Sequence, residues 1–388
     1  MTCNFNKSFD HTLLHLFCLC TLSFVCIKAN CQRGQKSVIE ISNPVSIARE
    51  ELAAIPYGKF IAVYPDFKIK PFKLIDISSG KELAYQLEYK GEKEPLNILV
   101  QVSCNPGSVI KLIAKAGMPA VIKPKTFARF VPERYDDFAW ENDRIAFRMY
   151  GPALASRPDN AYGIDVWVKR TAELILNKWY KEGNYHKDNG EGMDYYGVGK
   201  TLGAGDIGFY VKDSIIFTNN YTSWKVLDNG PLRSTFQLDY AEKNVAGKLI
   251  KITKVIALDA GSQLNKIEVF FTGTDTTGLP LVIGIAKRKG NGAMLFNEQE
   301  GIMGYWEPDS PGNGITGIGC ILPAGSNEMK LAKGQLLYLS TLPSTQSFNY
   351  YTGAAWNKGG QINSAMQWFN YLSDFAVKSQ HPLQVKIN

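Results

Sequence analysis

An imidazole, an ammonium, three carboxylates and three phenols sit within twelve residues, Tyr185-His186-Lys187-Asp188-Asn189-Gly190-Glu191-Gly192-Met193-Asp194-Tyr195-Tyr196. Imidazole titrates near neutrality, so His186 is the natural general base or acid of such a segment. Lys187, Tyr195 and Tyr196 are candidate proton donors, and Asp194 is a candidate substrate contact. A solvated loop whose glycines only make turns has the same composition. Beyond residue 31 the chain has two histidines, and His381 precedes Pro382 at the end of a helical pattern, a surface position.

A second polar cluster is Trp140-Glu141-Asn142-Asp143-Arg144-Ile145-Ala146-Phe147-Arg148. Read as one strand, it puts Asn142, Arg144 and Arg148 on one face. Two guanidinium groups so spaced can grip a carboxylate or sulfate through paired hydrogen bonds. Arg144 is therefore the candidate carboxylate clamp, with Glu141, Asn142 and Arg148 as substrate contacts. Arg288, Trp306, Glu307, Trp356 and Lys358 form a third set, in which an indole beside charged groups suits the apolar face of a sugar ring. Most tryptophans, however, are core residues. Asp188, Glu191 and Asp194 could offer oxygens to calcium, but their spacing is not that of an EF-hand loop. No G-x-S-x-G elbow, P-loop or dinucleotide fingerprint is present.

These residues need a scaffold, and the pattern is mostly β. Residues 36–118 alternate in short runs bounded by Pro, Gly and Asn, which predicts a small β-sandwich. Ser78-Ser79-Gly80 marks a hairpin turn, and the prolines at 119 and 124 mark a boundary. From residue 126 onward further strands predict a large antiparallel double sheet. Two helices are expected, one around residues 173–180 and one over SAMQWFNYLSDFAVKSQ, with PLQVKI as a closing strand.

Composition bounds the rest. Of 388 residues, 43 are basic and 36 acidic. Residues 13–27 are almost wholly apolar but too short for a comfortable membrane span of about 20 residues, so residues 1–31 read as an export signal with Ala29 near its end. A lipid on Cys31 is the rival reading. The expected location is periplasmic or at the cell surface. Five of seven cysteines lie in or beside this leader, leaving Cys104 and Cys320 as buried thiols or one disulfide. The remaining excess of positive charge is dispersed, with no Lys/Arg block of the kind that grips nucleic acid. Neither this pattern nor any other fixes an oligomeric state.

The strings RFVPERYDDFAWENDRIAFRMYGPAL, GIDVWVKRTAELILNKWY, YHKDNGEGMDYYGVGKTLGAG and AAWNKGG resemble the family DUF4861, over essentially the whole chain beyond residue 38. The family occurs in bacterial polysaccharide-degradation loci. The resemblance implies a mainly β fold: a galactose-mutarotase-like β-supersandwich over residues 121–388, behind a β-sandwich over residues 32–120. It also implies an oligosaccharide substrate containing uronic acid, of sulfated ulvan type, and β-elimination by a dehydratase or lyase that needs no cofactor. Such chemistry needs a base for the C5 proton, a cation at the carboxylate and an acid for the departing 4-oxygen. A glycoside hydrolase, a mutarotase or epimerase using Glu191 or Asp194, and a non-catalytic sugar-binding protein are the alternatives.

Overall fold

The structure, a computed structural model, describes residues 37–388 apart from Thr274 and Ser326. The expected leader lies outside the described residues. Residues 37–388 form one compact unit.

Near its start the chain builds two small sheets. One has five strands in the order Gln384–Ile387, Ile39–Ser42, Val109–Ala116, Phe72–Asp76 and Glu82–Leu83. The other joins Arg49–Pro56, Asn97–Cys104 and Tyr85–Glu88. Alternating residues meet between them, with Ile39, Ile41, Ile55, Leu74, Ile98, Val100 and Leu112 buried. The hairpin at 77–80 forms as expected. Asp76 accepts from the Ser78 N–H at 3.0 Å, and Gly80 supplies a φ of +70°. The closing strand also forms, but it returns across the molecule and pairs with Ile39–Ser42. The first sheet is thus completed by the other end of the chain.

The main body is two large antiparallel layers packed face to face, the double sheet that the sequence pattern implies and the supersandwich that the resemblance implies. One layer has nine strands, with Lys248–Asp259 near its middle. In that strand Ile250, Ile252, Ile256 and Leu258 point inward by strict alternation. Lys254 shares their parity and is buried too, neutralised by Asp206 at 2.6 Å from the facing layer. The facing layer consists of two five-stranded sheets, joined by a parallel bridge between Ile164 and Gly203. The first of these runs Gly192–Asp194, Asp165–Lys169, Ile145–Met149, Asp137–Asn142, Thr126–Val131. Its outer face carries Glu141, Arg148 and Asp194 of the sequence candidates. Cys104 and Cys320 are buried, unbridged thiols.

Each expected helix covers a sheet. Leu176–Glu182 lies on the outer face of the first five-stranded sheet, burying Leu176 and Trp179. Ala365–Gln380 lies on the outer face of the nine-stranded sheet, burying Trp368, Leu372 and Ala376. Its first turn is capped by Ser364, whose hydroxyl accepts from the Gln367 N–H at 3.3 Å. Among the described residues no helix is long and apolar enough to cross a membrane. Trp368 is fully buried, and Gly317 and Gly319 sit close beneath its ring. Trp368→Ala should therefore lower unfolding stability by about 3–5 kcal/mol in urea titrations. The histidine loop should keep its structure, because it lies on the other layer.

Candidate functional site

Four adjacent strands bring Asp137, Arg148, Asp165 and Asp194 into one cluster on the outer face of the first five-stranded sheet. Arg148 stands directly opposite Asp165 in register. Its guanidinium donates to Asp165 Oδ2 through Nε at 2.9 Å and Nη2 at 2.5 Å, and to Asp194 Oδ2 at 3.2 Å. Asp137 Oδ2 lies 3.7 Å from Nη1, and both atoms are buried without a hydrogen-bond partner. The Tyr150 and Trp167 rings flank the guanidinium at 4.9 and 5.3 Å.

Three carboxylates around one cation leave excess negative charge in a buried place, so protonation there is favoured. Burial pushes Asp137 up to about 7, against the opposing pull of Arg148 and the Gly151 N–H. Burial, with like-charged Asp165 adding to it, holds Asp194 well above the ordinary carboxylate range, while Arg148 and then Arg134 pull it back. The same effect raises Asp165.

His186 stands at the mouth of this cluster. Its ring packs on Tyr185 at 4.5 Å between centroids, and Tyr185 in turn stacks on Trp167 at 4.7 Å. Nδ1 lies 3.1 Å from the Asp194 main-chain oxygen and 3.5 Å from Asp194 Oδ2, the oxygen that Arg148 also holds. A carbonyl oxygen only accepts, so Nδ1 donates in this contact, and in the neutral ring Nε2 is the unprotonated nitrogen. The side chain is 59 % exposed.

The loop is held in place from several sides. The Asp194 N–H donates to Tyr185 O at 2.8 Å. Gly192 has a φ of +127°, and a Cβ there would meet Val168 O at 2.0 Å, so only glycine fits this close approach. Asp188 pairs with Arg170, and Glu191 with Lys178 at 2.8 Å. The three carboxylates of this segment thus turn to three different cations rather than to one shared point. Among the described residues no cluster of three or more His, Cys, Asp or Glu is arranged to hold a metal.

Several other expectations change. Arg144 lies in the turn between two strands and does not share a face with Arg148. It lines a separate cleft with Arg170, Trp356 and Gln361, to which His186 does not contribute. Arg148 is buried and its charge is already matched, so it supports the site instead of gripping substrate. Glu141 and Asn142 are fully buried. Glu141 accepts from the Ile175 and Leu176 N–H groups at 2.9 and 2.8 Å and pairs with Lys169 at 2.7 Å, so it caps the covering helix. Asn142 donates to the Asp259 and Ser262 carbonyls at 2.6 and 2.7 Å, tying two sheets together.

Tyr195 and Tyr196 face the interior of the sandwich. Tyr195 meets Thr316 of the opposite layer at 2.5 Å, and Tyr196 is buried beneath the Arg288 guanidinium at 4.2 Å. Arg288 pairs with buried Glu307 at 2.7 Å. Trp306 and Trp356 are core residues, 6 % and 3 % exposed, so neither offers an open platform. Exposed Lys358 donates to Gly312 O at 2.8 Å. Lys187 lines a separate small cleft between the helix and its own loop, with Trp179, Glu182 and Glu191.

Sequence reasoning missed Asp137, Asp165, Tyr150 and Arg134. Tyr150 shares the strand parity of Arg148, a signal that could have found it. Arg134 is half-buried, makes no salt bridge among the described residues, and is near enough to influence both Asp137 and Asp194. Its Nε is buried without a partner.

Two outcomes follow from these pairings. Glu141→Ala strands a buried ammonium and should cost about 3–5 kcal/mol, whereas Glu141→Leu with Lys169→Met should recover most of the loss in denaturant titrations. Asp137 has a folded pKa of about 7 and an unfolded one of about 3.9. The folded state therefore binds the extra proton between these values, and stability falls as pH rises through that window. Asp137→Asn should flatten this decline by up to about 1.4 kcal/mol per pH unit, read from unfolding at pH 4, 5.5 and 7.

Comparison with known proteins agrees with this architecture. The chain is 28 % identical over 399 residues to "Uncharacterized protein P7" of Formosa agariphila, covering 97 % of this chain and 98 % of that protein. Two solved structures share the fold, both from Enterococcus faecalis. One is described as a protein in glycosyl hydrolase family 38, with TM-score 0.53 and 12 % identity. The other is described as an alpha-mannosidase, with TM-score 0.51 and 11 % identity. Each alignment covers 91 % of this chain but 48 % and 46 % of the respective neighbour, so the chain spans about half the length of those proteins. The family described as a domain of unknown function, DUF4861, matches residues 41–385, and the chain belongs to that family.

Proposed function

We propose that the protein is a carbohydrate-active enzyme that forms a 4,5-unsaturated uronate in a uronic-acid-containing oligosaccharide, sulfated and of ulvan type, by β-elimination. The observation that carries this reading is His186, whose Nδ1 is fixed by Asp194 while the ring stays open to solvent. His186 Nε2 takes the C5 proton. The electron pair left on C5 forms the C4–C5 double bond and the C4–O bond breaks. Tyr150 protonates the departing oxygen, which leaves as water from a dehydratase or as a sugar hydroxyl from a lyase. Burial, with Asp165 adding to it, holds the Tyr150 phenol well above its ordinary range, so it is a proton carrier at neutral pH. Arg134 neutralises the substrate carboxylate, the role expected of Arg144, and so makes the C5 proton more acidic. As the imidazolium forms, Asp194 lies 3.5 Å away to stabilise it.

A second reading has a specific observation behind it. Asp137, pushed up to about 7, is a carboxyl able to act as an acid near neutrality, and the fold neighbours carry glycoside-hydrolase descriptions. Against it, both Asp137 and Asp194 are turned to Arg148. Incubation with uronic-acid oligosaccharides, followed by ultraviolet absorbance and product mass, separates the two. Elimination gives a new absorbance, with loss of water for a dehydratase or shortened chains for a lyase. Shortened chains with no absorbance mean hydrolysis. His186→Asn should lower the elimination rate by roughly 10²–10⁴-fold while leaving thermal unfolding nearly unchanged. Full activity in that variant would remove His186 from the reaction.

A further inference from the structure

The cleft that received Arg144 is not explained by the chemistry at His186. It is small, about 80 Å³, and is bounded by Asp143, Arg144, Arg170, Gln263, Trp356 and Gln361. Two of its polar atoms are buried without partners: the donor Arg144 Nε and the acceptor Gln263 Oε1. Orphaned buried polar atoms are costly, and a native structure keeps them where something else completes them. The Gln361 carboxamide oxygen, turned to Arg144 as the surrounding donors require, accepts from its Nη2 at 3.1 Å, which fixes the guanidinium plane. Arg170 is spread over the Trp356 indole at 4.9 Å, and its partner Asp188 belongs to the histidine loop. Asp143, the one acid on the lining, is engaged by the Gly261 N–H at 2.7 Å. A larger cleft of about 340 Å³ lies along the outer face of the nine-stranded sheet, but the charges on its sheet wall are paired with one another, Arg233 with Asp259 and Lys266 with Glu268.

We propose that the Arg144–Arg170 cleft is a second subsite, which binds the oxyanion of a sugar unit, a sulfate ester or a carboxylate, with a neighbouring hydroxyl donating to Gln263. Guanidinium groups match such oxyanions through paired N–H contacts. Arg144 precedes the strand Ile145–Met149, which is separated from the Asp194 strand by one intervening strand. Strands lie about 4.8 Å apart, so the two places are roughly 10 Å or more from each other. The ligand group here is therefore on a different sugar from the one at His186. That a sugar carries the oxyanion rests on the function proposed above; oxyanion binding itself does not.

Calorimetric titration of the full chain with sodium sulfate and with sodium glucuronate tests this, with glucose and sodium chloride at matched ionic strength as controls. Saturable binding is expected for at least one anion and for neither control. A response to sulfate alone identifies a sulfate ester as the group bound, and a response to glucuronate alone a carboxylate. Arg144→Met and Arg170→Met should each weaken that binding roughly tenfold or more, and His186→Asn should leave it intact. Unfolding of the free variants checks folding, and Arg170→Met serves if Arg144→Met does not fold. Binding of neither anion, the same heat from chloride, or undiminished binding in a folded arginine variant would overturn the proposal. If His186→Asn keeps full turnover while the arginine variants lose binding, the catalytic reading fails and the subsite stands.

Discussion

Arg148 is the one cation on which the outer face of the first five-stranded sheet depends. Its guanidinium reaches carboxylates on strands to both sides, Asp137 on one and Asp165 and Asp194 on the other. Without it three acids would be buried together with no counter-charge. Such a cluster would have to protonate fully or open to water. With it, the cluster is buried and able to hold a proton. The position of His186 depends on this arrangement, because its anchor, Asp194, is itself anchored by Arg148.

A second buried pair does the corresponding work for the cover over this face. Glu141 and Lys169 neutralise each other at 2.7 Å, and Glu141 also accepts from the N–H groups of Ile175 and Leu176 at the start of the covering helix. That helix has no side-chain cap of its own and ends at Gly183 with a φ of +69°. Its start is therefore set by the sheet and its end by a glycine that permits the reversal into the histidine loop. Tyr185 then stacks on Trp167 and brings His186 to the edge of the cluster. Sheet, helix and loop are thus ordered by buried charge as much as by apolar contact.

Strand alternation and turn residues made the β architecture, both covering helices and the hairpin at 77–80 legible in the sequence. The loop holding His186 was legible because polar, glycine-rich and titratable residues are concentrated there. The charged row was not, since Asp137, Arg148, Asp165 and Asp194 are far apart in the chain and only strand register brings them together. Arg144 was misplaced because the Asn142 side chain caps a tight turn: its Oδ1 accepts from the Arg144 and Ile145 N–H groups at 2.9 and 3.0 Å, which interrupts the alternation. Tyr195 follows the parity of Met193 and so faces the core, a consequence that would have been visible had Gly192–Asp194 been read as a strand. The pairing of the last strand with the first sheet had no local signal at all.

The buried acids also bear on how the exposed ring is held. Asp194 presents one oxygen to both His186 and Arg148, so the two side chains share a single anchor. Asp137 sits 3.7 Å from the same guanidinium, and burial pushes its carboxyl up to about 7. Ionisation of Asp137 adds a negative charge on the other side of Arg148 from Asp194 and draws the guanidinium toward it. The contact that anchors Asp194, and through it the position of His186, therefore depends on the protonation of a carboxyl with no exposure to solvent.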